Sequence, residues 1–274
     1  MAERVAVRKT YKLFIGGKFP RSESGRSYPV QSSNVALASR KDARDAVVAA
    51  RAAVKGWSSA TAYNRGQILY RVAEMLEGRR EQFVALGVPG DEVDTAVDRW
   101  VWYAGWADKL AQVYGGANPV AGPYFNLSAP EPTGVVAVVA PAGPALLGLV
   151  GVIAPAIVSG NTVVVAASPS APLAAVTLAE VLATSDLPGG VVNILTGALA
   201  ETVPTLAGHL DVNAIDLAGV ADPAFATDLE VRAAENLKRV LRPVPADHDW
   251  SADPGVTRMT ALLETKTVWH PKGV

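Results

Sequence analysis

The sequence predicts an α/β fold built on a doubly wound parallel sheet. Two observations carry that prediction. From Thr133 onward short apolar runs alternate with longer segments of helical period, and this alternation implies right-handed βαβ crossovers and a parallel sheet. The stretch from Gly134 to Ala167 holds no charged residue, as strands covered by helices on both faces require. The 274 residues, half of them apolar, supply enough core for one large domain or two modest ones.

The charge-free stretch does not read as a membrane span. Pro141, Pro144 and Pro155, with Gly143, Gly148, Gly151 and Gly160, cut it into short pieces, whereas a spanning helix needs about 20 consecutive apolar residues. Lys and Arg number 25 against 26 Asp and Glu, for a formal net charge of −1. Without a long run of one sign there is no footprint for nucleic acid or an acidic membrane surface. The absence of cysteine excludes disulfides, thiolate metal sites and thiol nucleophiles together. The opening residues Met1 to Lys9 are too charged for a secretory signal, so a cytoplasmic location is expected.

In chain order, Lys12 to Phe19 and Gly25 to Val30 read as two short strands joined by a Gly/Ser-rich turn. Lys41 to Lys55 and Thr61 to Leu86 carry apolar residues at helical spacing, the second with Ile68, Leu69, Val72, Met75 and Leu76 on one face. Asp91 to Tyr114 is a third helix, and its Trp100, Trp102, Tyr103 and Trp106 read as packing residues rather than a ligand-stacking box. Gly115 to Pro132, rich in Gly, Pro and Asn, reads as an extended connector.

Buried strands follow at Val135 to Ala140, Thr162 to Ala167, Val191 to Leu195 and Ala214 to Leu217. Helices lie between them at Ala145 to Ser159, Leu173 to Ser185 and Glu201 to Ala207. The tail reads as a polar turn at Asp247 to Pro254, a helix at Thr257 to Glu264 and an alternating strand from Thr265 to Trp269.

Little of this points to independent chemistry. His209, His248 and His270 are scattered, without the pair spacing of a zinc site. Asp247-His-Asp reads as a solvated turn, and no Gly-x-Ser-x-Gly elbow presents a serine nucleophile.

The order of motifs resembles the aldehyde dehydrogenase family. The N-terminal match lies in Ile15-Gly-Gly-Lys, Gly56-Trp57, and Asn64-Arg65 with Ala73-Glu-Met-Leu-Glu. The cofactor-domain match lies in Pro132-Thr-Gly-Val-Val, Ser159-Gly-Asn-Thr-Val-Val-Val, Leu187 to Gly197 and Asn236-Leu-Lys-Arg-Val. Trp102 to Lys109, Asp249-Trp and Lys266 to Pro271 are most similar to the family's sixteenth subgroup. The resemblance covers roughly half of a full member and implies a degenerate nucleotide-binding domain of this type without the catalytic domain. It divides the chain into an N-terminal helical part (1–118), a connector or oligomerisation hairpin (119–134), a Rossmann-like part (135–245) and a tail with an oligomerisation strand (246–274).

The family's chemistry needs a Cys thiolate to form a covalent hemithioacetal before hydride leaves for NAD, and the chain has no Cys. Gly143 stands where the resemblance implies an oxyanion-stabilising Asn, and Pro243 falls near the implied general-base Glu. Ala166 and Pro169 replace the implied ribose-binding Lys and Glu. Val220 and Ala224 replace the Ser and second Gly of the phosphate turn, leaving Gly219, with Gly197, as vestigial cofactor-binding positions.

The resemblance therefore implies a non-catalytic structural or regulatory subunit, not an enzyme on its own, with no catalytic and no metal-binding residue and with no NAD binding or a weak one. Its partner would be a full-length aldehyde dehydrogenase relative, itself, or both. Lys266, Thr267, Val268 and Trp269 would form the interface, as a strand paired across a subunit boundary rather than within its own sheet, the alternative being that the tail folds back on a local hairpin near Tyr124 to Gly134. The rival readings are an NAD-binding regulator and an oxidoreductase active only in complex with a catalytic partner.

Overall fold

The computed structural model describes Val5 and residues 9–273. β1 (Thr10–Tyr11), β2 (Ser27–Val30) and β3 (Ser33–Ala36) form a small sheet in the order β1-β3-β2. The hairpin is β2–β3, turning through Gln31 at φ 51°, and not residues 12–19 against 25–30. Gly16 and Gly17 both take positive φ, so the chain reverses there, with Ile15 bridging Lys18 and Phe14 bridging Ile194. A reversal of this kind cannot continue as a strand.

α1 (Arg40–Ser59) opens on a capping box between Ser39 and Asp42, and its Trp57 Nε1 donates to the Ile157 carbonyl at 2.8 Å. The second expected helix is two, α2 (Ala62–Glu77) and α3 (Arg80–Val84), and so is the third, α4 (Gly90–Ala104) and α5 (Leu110–Tyr114). The breaks fall at Gly78 and Gly105, which cap α2 and α4, and glycine is the weakest ordinary helix former. Trp100 and Tyr103 are buried in the core. The expected connector contains two strands, β4 (Gly116–Ala117) and β5 (Tyr124–Pro132).

Then come β6 (Val135–Val139), α6 (Leu147–Val158), β7 (Thr162–Ala166), α7 (Pro172–Leu182), β8 (Val192–Leu195), α8 (Leu199–Gly208), β9 (Ala214–Asp216), α9 (Pro223–Ala234) and β10 (Arg239–Leu241). The five strands pair in parallel in the order β10-β9-β6-β7-β8. The winding reverses at β6, which makes the gap between β6 and β9 the topological switch point. Alternate residues of the strands serve opposite layers. Val136, Val138, Val163 and Val165 pack with the apolar faces of α2, α4, α6 and α7. Val135, Ala137, Val139, Val164 and Ala166 pack with α1, α8 and α9. Every residue of α6 is buried, which explains why this helix and its flanking strands carry no charge. Among the described residues no helix is long and apolar enough to cross a membrane.

The tail holds α10 (Thr257–Thr260), shorter than expected, and β11 (Leu263–Pro271). β11 runs antiparallel to β5 along its whole length, from Leu263 opposite Pro132 to Pro271 opposite Tyr124. The strand expected to pair across a subunit boundary is thus paired inside its own chain. Its partner is the segment read as a connector, whose edge is otherwise covered only by the short β4. The base of this ribbon is fastened to the main sheet by Arg239, which holds Glu264 through two bonds of 2.7 and 2.6 Å. Asn161 adds a second tie, donating to the Leu262 carbonyl and accepting from the Gly134 amide.

Candidate functional site

In a doubly wound sheet, ligands are expected outside the carboxyl ends of the strands at the switch point. Here that crevice lies between the ends of β6 and β9. Gly219 follows β9, and a Cβ on it would fall 2.0 Å from the Ala140 carbonyl oxygen. Its N–H donates to the Val139 carbonyl at 3.0 Å. The glycine is there because two backbones touch, and its amide is already used.

The helices that start at this crevice are capped by the protein itself. Glu92 of α4 reaches the start of α6, where one carboxylate oxygen accepts from the amides of Leu146 and Leu147 at 2.6 and 3.0 Å. At α9 the carboxylate of Asp222 accepts from Ala224, and Pro223 removes one N–H altogether. A pyrophosphate needs such N–H groups free and the helix N-terminus without a competing anion. These residues do not fit the pyrophosphate of a dinucleotide.

Gly197 lies elsewhere. It follows β8 at φ +122°, with Leu37 Cδ1 only 2.7 Å from where a Cβ would be. Three strand intervals separate β8 from β9, about 14 Å at the usual strand spacing. The structure does not bring Gly197 and Gly219 together. Ala166, at the end of β7, is buried, and Gly143 is exposed before α6.

A second feature at this end of the sheet was not legible as a site. The loop after β10 returns over α6, so that Trp250 packs on Gly151 and the ring of His248 meets the indole edge-on at 4.6 Å. Asp216, the last residue of β9, is fully buried, accepts from the Ala218 amide at 3.0 Å and pairs with Arg258. Between α4, α6 and this loop is a cavity of about 370 Å³ lined by Arg99, Tyr103, Gly151, Trp250 and Arg258 among others. Burial, opposed by the nearby Arg99 and Arg258, pushes the Tyr103 phenol up to about 12. The signal that sequence reading missed is Asp216, a carboxylate inside an apolar strand that calls for a cation.

The remaining expected positions are on the ribbon. Lys266 reaches Glu131 at 3.1 Å, Thr267 shares a hydroxyl contact of 2.9 Å with Ser128, Val268 stands opposite Leu127, and Trp269 meets the Tyr124 ring edge-on at 5.8 Å. All four are exposed. The three histidines stay apart, and among the described residues no group of acidic and histidine side chains could hold a metal ion.

A family model described as the aldehyde dehydrogenase family matches residues 29–244. The chain belongs to the aldehyde dehydrogenase family. This member is 32% identical over 252 residues to human retinal dehydrogenase 2, covering 85% of this chain and 48% of that one. It is 29% identical over 250 residues to the putative aldehyde dehydrogenase DhaS of Bacillus subtilis, covering 84% of this chain and 50% of the relative. The NAD+ complex structure of an aldehyde dehydrogenase from Bacillus cereus superposes with a TM-score of 0.79 at 25% identity, covering 85% of this chain and 50% of that one. PnpE from Pseudomonas sp. WBC-3 superposes with a TM-score of 0.79 at 28% identity, covering 85% and 50%.

This family member thus spans about half the length of the curated relatives it matches. Among the described residues there is no second α/β domain. The expectation that the chain is not an enzyme on its own is corrected by these matches, because the relatives are dehydrogenases by name. The chain carries no thiol.

Proposed function

We propose that this chain is a structural or regulatory subunit of an aldehyde dehydrogenase assembly, joined to a full-length relative through the β5–β11 ribbon. The observation that carries the reading is the far end of that ribbon, where Tyr124, Phe125, Leu127, Val268 and Trp269 are all exposed. The ribbon has three strands in the order β11-β5-β4, so among the described residues the outer edge of β11 has no strand beside it. An open edge flanked by apolar side chains is normally covered by another chain. The assembly would work in the cytoplasm. One relative, the aldehyde dehydrogenase cytosolic 1 of Elephantulus edwardii, carries that location in its name.

Carboxylate capping of α6 and α9 supports weak NAD affinity. Each missing hydrogen bond to a phosphate is worth about 1–3 kcal/mol, so several together weaken binding by decades.

Native mass measurement after co-expression with a full-length relative tests the assembly. A mixed oligomer is expected, and Val268→Lys, on the exposed strand, should abolish it while leaving the fold intact. Co-purification of the variant at the wild-type ratio would remove the ribbon as the contact.

A further inference from the structure

Arg99 is 7% exposed, yet no carboxylate stands within salt-bridge distance of it among the described residues. Among the described residues its only hydrogen bonds run from Nη2 to the carbonyls of Trp250 and Ala252, at 3.0 and 2.9 Å. A guanidinium has five N–H donors, so those on Nε and Nη1 remain. Buried charges are ordinarily paired, and the neighbouring Arg258 shows the rule, since Asp216 takes it.

Tyr103 follows Arg99 by one turn of α4 and lines the same cavity. It is 1% exposed, and its hydroxyl has no hydrogen-bond partner among the described residues. Its phenol, held neutral far above physiological pH, lines the cavity as a hydrogen-bond donor. The indole of Trp250 forms an apolar wall, and the volume, about 370 Å³, lies within the range of small-molecule sites.

We propose that this cavity is a binding site for a small monocarboxylate with a flat apolar body, the carboxylate on Arg99 and Tyr103 and the body against Trp250. The rim sets the charge limit. Asp249 and Asp253 line the mouth, where they accept from Ser251 and from the Gly255 amide. The one rim arginine beyond Arg258, Arg242, faces Glu230 at 3.3 Å. A second negative charge on the ligand would meet those two carboxylates, which disfavours dicarboxylates and phosphate esters. The site is independent of the ribbon and of NAD.

Calorimetric titration of the full chain with benzoate, benzyl alcohol and phthalate tests the site. Benzoate should bind, with benzyl alcohol at least about tenfold weaker through the loss of one charged hydrogen-bonded contact, and phthalate at least about tenfold weaker through repulsion from Asp249 and Asp253. Tyr103→Phe keeps the ring and the packing and should weaken benzoate about five- to tenfold, the worth of one hydrogen bond. In ¹⁵N-resolved spectra, benzoate should shift the Gly151 amide and the Trp250 indole N–H. Equal affinity for benzoate and benzyl alcohol, unchanged binding by Tyr103→Phe, shifts confined to other residues, or no heat with benzoate would each overturn the proposal.

Discussion

The indole of Trp250 occupies the space that a side chain at position 151 would need: a Cβ built on Gly151 would lie 2.7 Å from Cε3 and 2.8 Å from Cζ3 of that ring. The tail is thereby seated on the most buried helix of the domain. Gly151→Ala should push the ring off α6 and cost about 1–3 kcal/mol, the usual range for overpacking. Urea unfolding checks it, and pairing Gly151→Ala with Trp250→Ala should recover part of the loss. Additive losses would show that the two residues do not share this contact.

Asp216 and Arg258 join the end of β9 to the tail, and the Asp216 side chain is buried. Removing one partner leaves the other charge uncompensated. Arg258→Met should therefore destabilise the fold by about 3–5 kcal/mol. The double change Asp216→Leu with Arg258→Met should lose less than Arg258→Met alone. Chemical denaturation of the three proteins gives the comparison, and a double variant weaker than the single would count against the pair.

Tyr103 makes stability depend on alkaline pH. Its folded pKa, pushed up to about 12 chiefly by burial, exceeds the ordinary tyrosine value of 10.0. Between those values the unfolded chain has released a proton that the folded chain still holds, so stability falls as pH rises through this window. Below pH 10 this contribution is constant. The unfolding midpoint should drop from about pH 10 upward, and Tyr103→Phe should flatten part of that decline. An unchanged slope in the variant would contradict the assignment.

The pairing of β11 with β5 can be locked, because the chain has no native Cys to interfere. Leu127 and Val268 stand directly opposite each other. Opposed antiparallel residues have Cα atoms about 4.5–5.5 Å apart, within disulfide reach. Leu127→Cys with Val268→Cys should oxidise to an intramolecular crosslink at monomer mass. A crosslinked dimer as the main product would mean that the strands exchange between chains.

The division of labour between sequence and tertiary structure follows from what each residue must satisfy. The parallel sheet was legible in Val135 to Ala166, since strands and a helix buried on all sides admit only apolar residues, and local composition reports that directly. The missing thiol was equally legible, because chemistry depends on the identity of single side chains. β10 was not, being three residues long and partly exposed, too short for a period to emerge. The partner of β11 was legible only as one of two outcomes, a subunit boundary or the segment near Tyr124 to Gly134, since an alternating strand declares a wish for an edge but not which edge. Only the fold showed that β5 lies beside it. The cavity of Arg99, Tyr103 and Trp250 brings α4 against a loop 151 positions further along, and no local pattern encodes that distance. Only packing could decide that Gly219 is a backbone crossing with its amide already bonded, because its role depends on Ala140, which is remote in the chain and adjacent in space.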